Sequence, residues 1–177
     1  MIAIAPATPA DVPAIARIYA AHVRSGTATF EIAPPDTAEI AARLAKVLAS
    51  GGVWLAGRDS EGTVLGYAYA ASFRDRPAYR FTCENSIYID AARRGQGIGS
   101  ALLCALLGAA EEAGFRQMIA VIGGAEPASQ ALHARAGFTE SGRMRSVGRK
   151  HGRWLDTLYM QRALGPGDER PPDKEPT

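Results

Sequence analysis

Apolar residues recur along the first half of the chain at spacings typical of both helices and strands. Between Val12 and Val23 the spacing is helical, and Thr-Pro-Ala-Asp at residues 8–11 is typical of a helix start. A second helical pattern begins near Thr37 and ends at the glycine pair 51–52. Residues 53–58 and 64–73, joined by a polar turn, predict a β-hairpin, and residues 82–89 predict another strand.

The second half of the chain continues the alternation. Residues 100–113 carry a leucine stripe and end at Gly114, which predicts a helix, and residues 118–122 predict a short buried strand. A helix at 128–136 and an antiparallel pair at 138–147 and 155–162 follow. With a short strand at 2–4, the order is β-α-α-β-β-β-α-β-α-β-β. This order predicts an α/β (α+β) fold in which a mixed, mostly antiparallel central sheet is flanked by helices on both faces.

Composition limits the classes of protein that need considering. The 177 residues suit one domain, expected at 1–164, whereas residues 165–177 hold four prolines and no large apolar side chain and predict a disordered tail. A formal charge of +2 is too small to indicate nucleic acid, and no basic leader or membrane-length apolar run is visible. We expect a cytoplasmic protein, with Cys83 and Cys104 as buried free thiols. No metal-ligand spacing is visible, so no metal is expected.

The most informative segment is a glycine-rich turn that follows a strand and precedes the leucine-rich helix. Residues 94–99 read Arg-Gly-Gln-Gly-Ile-Gly. Glycines let main-chain N–H groups approach an anion, and a helix N-terminus adds unpaired donors and partial positive charge. Together with Arg93 and Arg94, the turn suits a pyrophosphate. It lacks the lysine of a P-loop and is one residue shorter than a dinucleotide fingerprint, while a plain turn with exposed arginines is the structural alternative.

This segment resembles the acetyl-CoA motif of the GNAT superfamily of N-acetyltransferases, Arg/Gln-x-x-Gly-x-Gly/Ala, in the same strand–turn–helix setting. The resemblance extends over about residues 1–164 and implies the GNAT fold with acetyl-CoA as co-substrate. It implies that main-chain amides of the turn hold the pyrophosphate and that the preceding strand pairs with the pantetheine arm. The implied coenzyme-binding residues are Ile87, Tyr88, Ile89, Arg94, Gly95, Gln96, Gly97, Ile98, Gly99, Ser100 and Ser129.

Two residues are candidates for proton transfer. Acetyl transfer needs a neutral amine, and Glu84, on the strand that precedes the turn, could take the proton of an α-amino group directly or through a water. His133 stands where most GNAT enzymes have a tyrosine that protonates the CoA thiolate, and an imidazole can relay a proton near pH 7. The alternatives are a surface or substrate-binding glutamate and a structural histidine.

Further segments resemble the phosphinothricin/methionine sulfoximine–sulfone acetyltransferase group within GNAT, above all residues 147–156, Val-Gly-Arg-Lys-His-Gly-Arg-Trp-Leu-Asp. This resemblance implies acetylation of the α-amine of L-phosphinothricin, L-methionine sulfoximine or L-methionine sulfone, and a homodimer. Arginines at 74 and 76 would clamp substrate oxygens if their segment is extended, with Phe30 and Tyr79 as apolar walls. The implied substrate-binding residues are Phe30, Arg74, Asp75, Arg76, Glu84, Asn85 and Ser86. Relatives often have a cofactor-contacting Asn where this chain has Glu126.

Two other functions are also consistent with the glycine turn. A protein N-terminal or lysine acetyltransferase would share the turn but would need an open, acidic peptide groove. A non-catalytic acetyl-CoA-binding module would need neither Glu84 nor His133.

Overall fold

The computed structural model describes residues 2–172. This range contains seven strands and four α-helices, joined by loops and short 3₁₀ turns. The strands are β1 (Ala3–Pro6), β2 (Val53–Arg58), β3 (Val64–Ser72), β4 (Thr82–Ile89), β5 (Gln117–Gly123), β6 (Thr139–Lys150) and β7 (Arg153–Ala163). The helices are α1 (Val12–Ser25), α2 (Thr37–Ala49), α3 (Ile98–Glu112) and α4 (Pro127–Arg135). The order of elements along the chain is the one that the apolar pattern predicts.

All seven strands join one sheet, in the spatial order β1-β2-β3-β4-β5-β7-β6. Neighbouring strands are antiparallel except β4 and β5, which are parallel. The parallel pair forms because α3 carries the chain back across one face of the sheet between the two strands. The predicted mixed, mostly antiparallel sheet is therefore present.

Helices cover both faces of the sheet and give two apolar layers. On one face, Leu102, Leu103 and Leu106 of α3 pack with Ala68 and Met118 of the sheet. On the other face, α1 and α2 pack against an aromatic surface of the sheet that includes Trp54, Tyr67 and Tyr88. Alternate residues of β4 therefore face different layers, with Cys83 in the α3 layer and Tyr88 in the α1–α2 layer.

Several element boundaries differ from the sequence-based expectation. Helix α3 begins at Ile98 rather than at residue 100, because Gly97 at φ 78° ends the turn and acts as the N-cap. Thr8 begins a short 3₁₀ turn, Pro9–Asp11, before α1. The closing strands β6 and β7 extend further than predicted because a tight turn at residues 151–152 lets them pair up to Lys150 and Arg153. Both cysteines are free, but Cys104 is exposed, since it lies outside the buried leucine stripe of α3.

The end of the described chain consists of turns. Leu164 is buried, and the Gly167 N–H donates to the Leu164 carbonyl at 2.9 Å. Residues 173–177 of the predicted disordered tail lie outside the described residues. The division at residue 164 remains a prediction. Within residues 2–172, none of the helices is both long and apolar enough to cross a membrane.

Candidate active site

A cleft opens where β4 and β5 separate. The two strands pair only from Thr82↔Gln117 to Asn85↔Ala120. Beyond that point β4 continues beside β3 and β5 beside β7, so main-chain groups of residues 86–89 that face β5 have no partner on that strand. The cleft has a volume of about 620 Å³ and reaches from the separated strands to the N-terminus of α3. Its open strand edges suit an extended ligand that carries amide groups.

The glycine turn forms one end of this cleft. Gly95 and Gly97 have φ of 74° and 78°, a left-handed conformation that glycine adopts without a Cβ penalty. Within residues 2–172, no atom beyond Gly97 and its two chain neighbours lies within 4 Å of the position that a Cβ at Gly97 would take, so open space lies over the turn. The Ala101 N–H donates to the Gly97 carbonyl and is the first intrahelical donor, which leaves the amides of residues 98–100 available for an anion.

Positive charge surrounds the cleft. The guanidinium groups come from the glycine turn, from α4 and from β7, and the lining includes one carboxylate. The charged lining residues are Arg93, Arg94, Arg135, Arg153 and Glu126. The Glu126 carboxylate accepts a hydrogen bond from the Ser129 N–H at 2.9 Å and so caps α4. This cap explains how the glutamate is accommodated at a position where relatives often have Asn.

Most of the predicted coenzyme-binding residues meet in this cleft. Gln96 lies outside the lining, and its side-chain amide points back to the Ala92 carbonyl at 3.5 Å. Tyr88 buries its ring in the α1–α2 layer, which leaves its main chain to face the cleft. The predicted residues that line the cleft are Ile87, Tyr88, Ile89, Arg94, Gly95, Gly97, Ile98, Gly99, Ser100 and Ser129.

Glu84 lies on the opposite face of β4, in the α1–α2 layer, beside the point where the strands separate. Burial raises the pKa of its carboxyl, and the nearby positive charge of Arg74 lowers it to a lesser extent. Ser86 projects to the same face two residues along the strand, close to the half-buried Tyr69, whose pKa is raised mainly by burial. A partly desolvated carboxylate at this position can accept the proton of an amine.

The arginine-containing segment that follows β3, residues 73–80, is not extended as predicted. Residues 73–76 bend, and a 3₁₀ turn, Pro77–Tyr79, follows. Arg74, Asp75 and Arg76 are all exposed. Arg74 lies over the Phe73 ring at 4.3 Å and is near enough to affect the pKa of Glu84. The segment therefore borders the acceptor side of the site with its charged groups in solvent.

The loop between α1 and α2 places Phe30 against the strands that close the site. The ring packs so tightly on Gly148 of β6 that a Cβ there would collide with it. The loop is held by two hydrogen bonds to Thr29: the Thr29 and Tyr19 hydroxyls lie 2.9 Å apart, and the buried Lys150 ammonium donates to the Thr29 carbonyl at 2.8 Å. A salt bridge of 2.6 Å between Glu31 and Arg43 ties the loop to α2.

His133 is buried in the wall of the cleft, and both ring nitrogens have partners. Nδ1 lies 2.8 Å from the Ser129 carbonyl and 3.4 Å from the Ser129 hydroxyl, while Nε2 lies 2.9 Å from the side-chain amide of Asn85. Burial lowers the pKa of His133, and the hydrogen bond to the Ser129 carbonyl opposes this to a lesser extent. Burial therefore favours the neutral form of the imidazole over the charged form.

Three residues for which no site role was predicted also shape the site. His22 donates from Nε2 to the Ile89 carbonyl at 2.9 Å and packs edge-on against Tyr88, which fixes the end of β4. Lys150 anchors the Phe30 loop, and Arg153 lines the cleft. His22 and Lys150 contact segments 67 and 121 residues away, so no local pattern could have predicted these contacts.

Within residues 2–172, no group of three or more His, Cys, Asp or Glu side chains is arranged to hold a metal ion.

The class of protein follows from comparison of the whole chain. The model of the acetyltransferase (GNAT) family matches residues 15–138. The chain belongs to the GNAT family of acetyltransferases.

Comparison with individual proteins shows which acetyltransferases of the GNAT family this chain resembles. A phosphinothricin N-acetyltransferase of Alcaligenes faecalis is 50% identical over 164 residues, which cover 92% of this chain and 83% of that protein. An L-methionine sulfoximine/L-methionine sulfone acetyltransferase of Pseudomonas paraeruginosa is 40% identical over 92% of this chain and 94% of its own. The crystal structure of a phosphinothricin acetyltransferase from Sinorhizobium meliloti with acetyl-CoA superimposes with a TM-score of 0.96 at 48% identity, covering 98% of this chain and 94% of that one. The predicted GNAT fold, N-acetyltransferase activity and acetyl-CoA co-substrate are confirmed.

Proposed function

We propose that this enzyme acetylates the α-amino group of a glutamate-like amino acid whose side chain ends in a phosphinate, sulfone or sulfoximine. L-Phosphinothricin, L-methionine sulfoximine and L-methionine sulfone are the compounds of this type. The similar proteins named for them support the proposal. The structural observation that carries it is the position of Glu84: a partly buried carboxylate beside the point where β4 and β5 separate, across β4 from the cleft that we assign to acetyl-CoA, with the positive charge of Arg74 nearby.

The reaction can be written for these groups. Glu84 takes a proton from the ammonium form of the acceptor, and the neutral nitrogen attacks the thioester carbonyl carbon. A main-chain N–H of residues 86–89 stabilises the oxyanion, since these residues lack a partner on β5. The new C–N bond forms and the C–S bond breaks. The nitrogen gives up a second proton and the thiolate takes up one, so a net one proton passes by way of Glu84 to solvent. The products are the N-acetyl amino acid and coenzyme A.

The group that protonates the thiolate is the second question of the mechanism, and the family resemblance predicts that it is His133. His133 has its hydrogen on Nδ1, where the Ser129 carbonyl accepts it, and Nε2 accepts from Asn85. A neutral imidazole with both nitrogens engaged has no spare proton to give. The hydrogen bonds therefore favour a role for His133 in holding Asn85 over the direct donor role that the family resemblance implies.

An acceptor screen with acetyl-CoA tests the proposal. Thiol release should be fastest with L-phosphinothricin, L-methionine sulfoximine or L-methionine sulfone, and the D-enantiomers serve as matched controls that keep the same charge and size. Peptides with free N-termini should react more slowly. Faster turnover of peptides than of all three analogues would replace the proposal with a protein acetyltransferase, and absence of turnover with every acceptor would favour a coenzyme-binding module.

Replacing Arg74 by Gln tests the acceptor site. Loss of a charge-assisted hydrogen bond to the acceptor should raise its KM about 10-fold to 100-fold. The acid limb of the pH–rate profile should also move to higher pH, because Arg74 lowers the pKa of Glu84 and its removal raises that pKa. Steady-state kinetics across pH measure both effects. Arg80→Gln in the same segment is the control; equal changes in the two variants would contradict a specific role for Arg74.

We also propose that the enzyme is a homodimer and works in the cytoplasm. In support of self-association, the β6–β7 hairpin exposes three apolar side chains, Met144, Val147 and Trp154, with Trp154 62% exposed. Two free cysteines, one of them exposed, suit a reducing compartment.

The oligomeric state can be tested by replacing Trp154. Trp154→Glu places a charge in the proposed interface and should shift the sedimentation coefficient from dimer to monomer at micromolar concentration. Leu48→Glu, at another exposed apolar position, should leave the coefficient unchanged. A wild-type protein that sediments as a monomer at all concentrations would refute the dimer.

A further inference from the structure

The side-chain oxygen of Asn85 is a buried acceptor without a partner. Asn85 is 5% exposed and lines the cleft, and its Oδ1 makes no hydrogen bond within the described chain. A buried polar atom of this kind costs free energy unless a ligand or a water completes it. Its location on the wall of a ligand cleft makes it a candidate for ligand recognition.

The orientation of the Asn85 amide follows from the hydrogen bonds of His133. The Ser129 carbonyl can only accept, so His133 Nδ1 carries the hydrogen and Nε2 of the neutral ring is an acceptor. The group that faces Nε2 at 2.9 Å must then be the NH₂ of Asn85. Oδ1 is therefore turned away from His133 and requires a donor from elsewhere.

We propose that Asn85 Oδ1 accepts a hydrogen bond from the cysteamine amide N–H of acetyl-CoA, the pantetheine amide nearest the thioester. Asn85 thus binds the coenzyme and is not an acceptor-binding residue as the sequence resemblance implies. The inference rests on acetyl transfer from a coenzyme held between β4 and β5. Pantetheine amides carry the N–H donors of the coenzyme's arm, and the thioester itself has none.

The length of the pantetheine arm agrees with this contact. Ile89 lies beside the first turn of α3, since its side chain is 3.9 Å from the place that a Cβ on Gly99 would take. Asn85 is four residues before Ile89, a distance of about 13 Å along a strand. About ten bonds separate the second phosphate from the cysteamine nitrogen, and they span about 12 Å when extended at the rise per bond of an extended polypeptide. A coenzyme with its pyrophosphate at the α3 N-terminus therefore brings this amide to the level of Asn85, where β4 and β5 rejoin.

The alternation of side chains along β4 excludes the acceptor amine as the main partner of Oδ1. Cys83 packs in the α3 layer and Asn85 shares its face, whereas Glu84 faces the α1–α2 layer. The amine must approach Glu84 to lose its proton, so it lies across the strand from Asn85. Strand β4 thus presents the Glu84 carboxylate to the acceptor and the Asn85 side-chain amide to the coenzyme.

Calorimetry with two forms of the coenzyme tests the proposal without any acceptor. One form is acetyl-CoA, and the other carries an ester oxygen in place of the cysteamine N–H. The wild type should bind the ester analogue about tenfold more weakly, since the analogue leaves Oδ1 without its donor. Asn85→Leu should bind the two forms with equal Kd. Asn85→Asp, which keeps an acceptor oxygen at the same place, should still discriminate against the ester.

Each outcome bears on the assignment. Discrimination by the wild type and the Asp variant but not by the Leu variant supports it. Equal binding of both forms by the wild type overturns it and assigns the partner of Oδ1 to a buried water. Unchanged discrimination in Asn85→Leu also overturns it. Failure of every acceptor in the screen, with discrimination intact, would remove the proposed substrate class but leave the coenzyme contact, so the two failures are separable.

Discussion

Glu84→Gln is expected to lower kcat by about 10² to 10⁴, the range for loss of a general base. Glutamine keeps the size and polarity of the side chain but cannot take a proton from the acceptor's ammonium group. Because Glu84 faces away from the coenzyme cleft, the Kd of acetyl-CoA should remain within about twofold of the wild type. Stopped-flow or steady-state thiol release measures kcat, and calorimetry measures the Kd.

The pH dependence gives a second measure of the same group. Burial raises the pKa of Glu84, so the active carboxylate form is lost as pH falls through a value above that of an ordinary glutamate. The wild-type rate should therefore fall on the acid side, and this limb should disappear in Glu84→Gln. Glu140→Gln, an exposed glutamate on β6, is the control and should keep both rate and profile. A loss of less than tenfold in Glu84→Gln would assign deprotonation of the acceptor to solvent.

Gly97→Ala is expected to raise the Kd and KM of acetyl-CoA by about 10-fold or more while kcat changes little. Gly97 has φ 78°, and an L-residue in that conformation costs about 1–2 kcal/mol, so the turn would relax away from the geometry that presents its amides. The added methyl would also lie in the open space over the turn that the phosphates require. Titration of acetyl-CoA by calorimetry, supported by steady-state kinetics, checks this result.

A glycine within α3, the helix that follows Gly97, provides the matched control. Gly108 is exposed in the interior of α3, and a Cβ there meets nothing within 4 Å. Gly108→Ala should leave the Kd of acetyl-CoA unchanged and stabilise the protein by about 0.5–1 kcal/mol in thermal unfolding, because alanine is the better helix former. Wild-type affinity in Gly97→Ala would mean that the turn does not hold the pyrophosphate.

These two predictions separate the halves of the reaction. Glu84 is proposed to act on the acceptor side of β4, and its loss should appear in kcat. Gly97 is proposed to act on the coenzyme side, and its replacement should appear in the binding of acetyl-CoA. If both variants lost the same kinetic parameter, the division of the site by the two faces of β4 would be wrong.

The amino-acid sequence determined the elements of the fold and the coenzyme turn, because these depend on neighbouring residues. Helical spacing in α1, alternation in β4 and glycines with positive φ at 95 and 97 are local properties, and their order along the chain predicted the sheet and its helices. The same locality explains the errors. Residues 73–76 could not be recognised as bent rather than extended from their own composition.

Only the tertiary structure decided how side chains distant in sequence combine. The hydrogen bond between Asn85 and His133 joins residues 48 positions apart and sets the orientation of the Asn85 amide, on which the proposed coenzyme contact rests. The contacts of His22 with Ile89 and of Lys150 with Thr29 join still more distant segments. Such pairs form when the sheet brings its strands and covering helices together, and the burial that shifts the pKa of Glu84 and His133 arises in the same step.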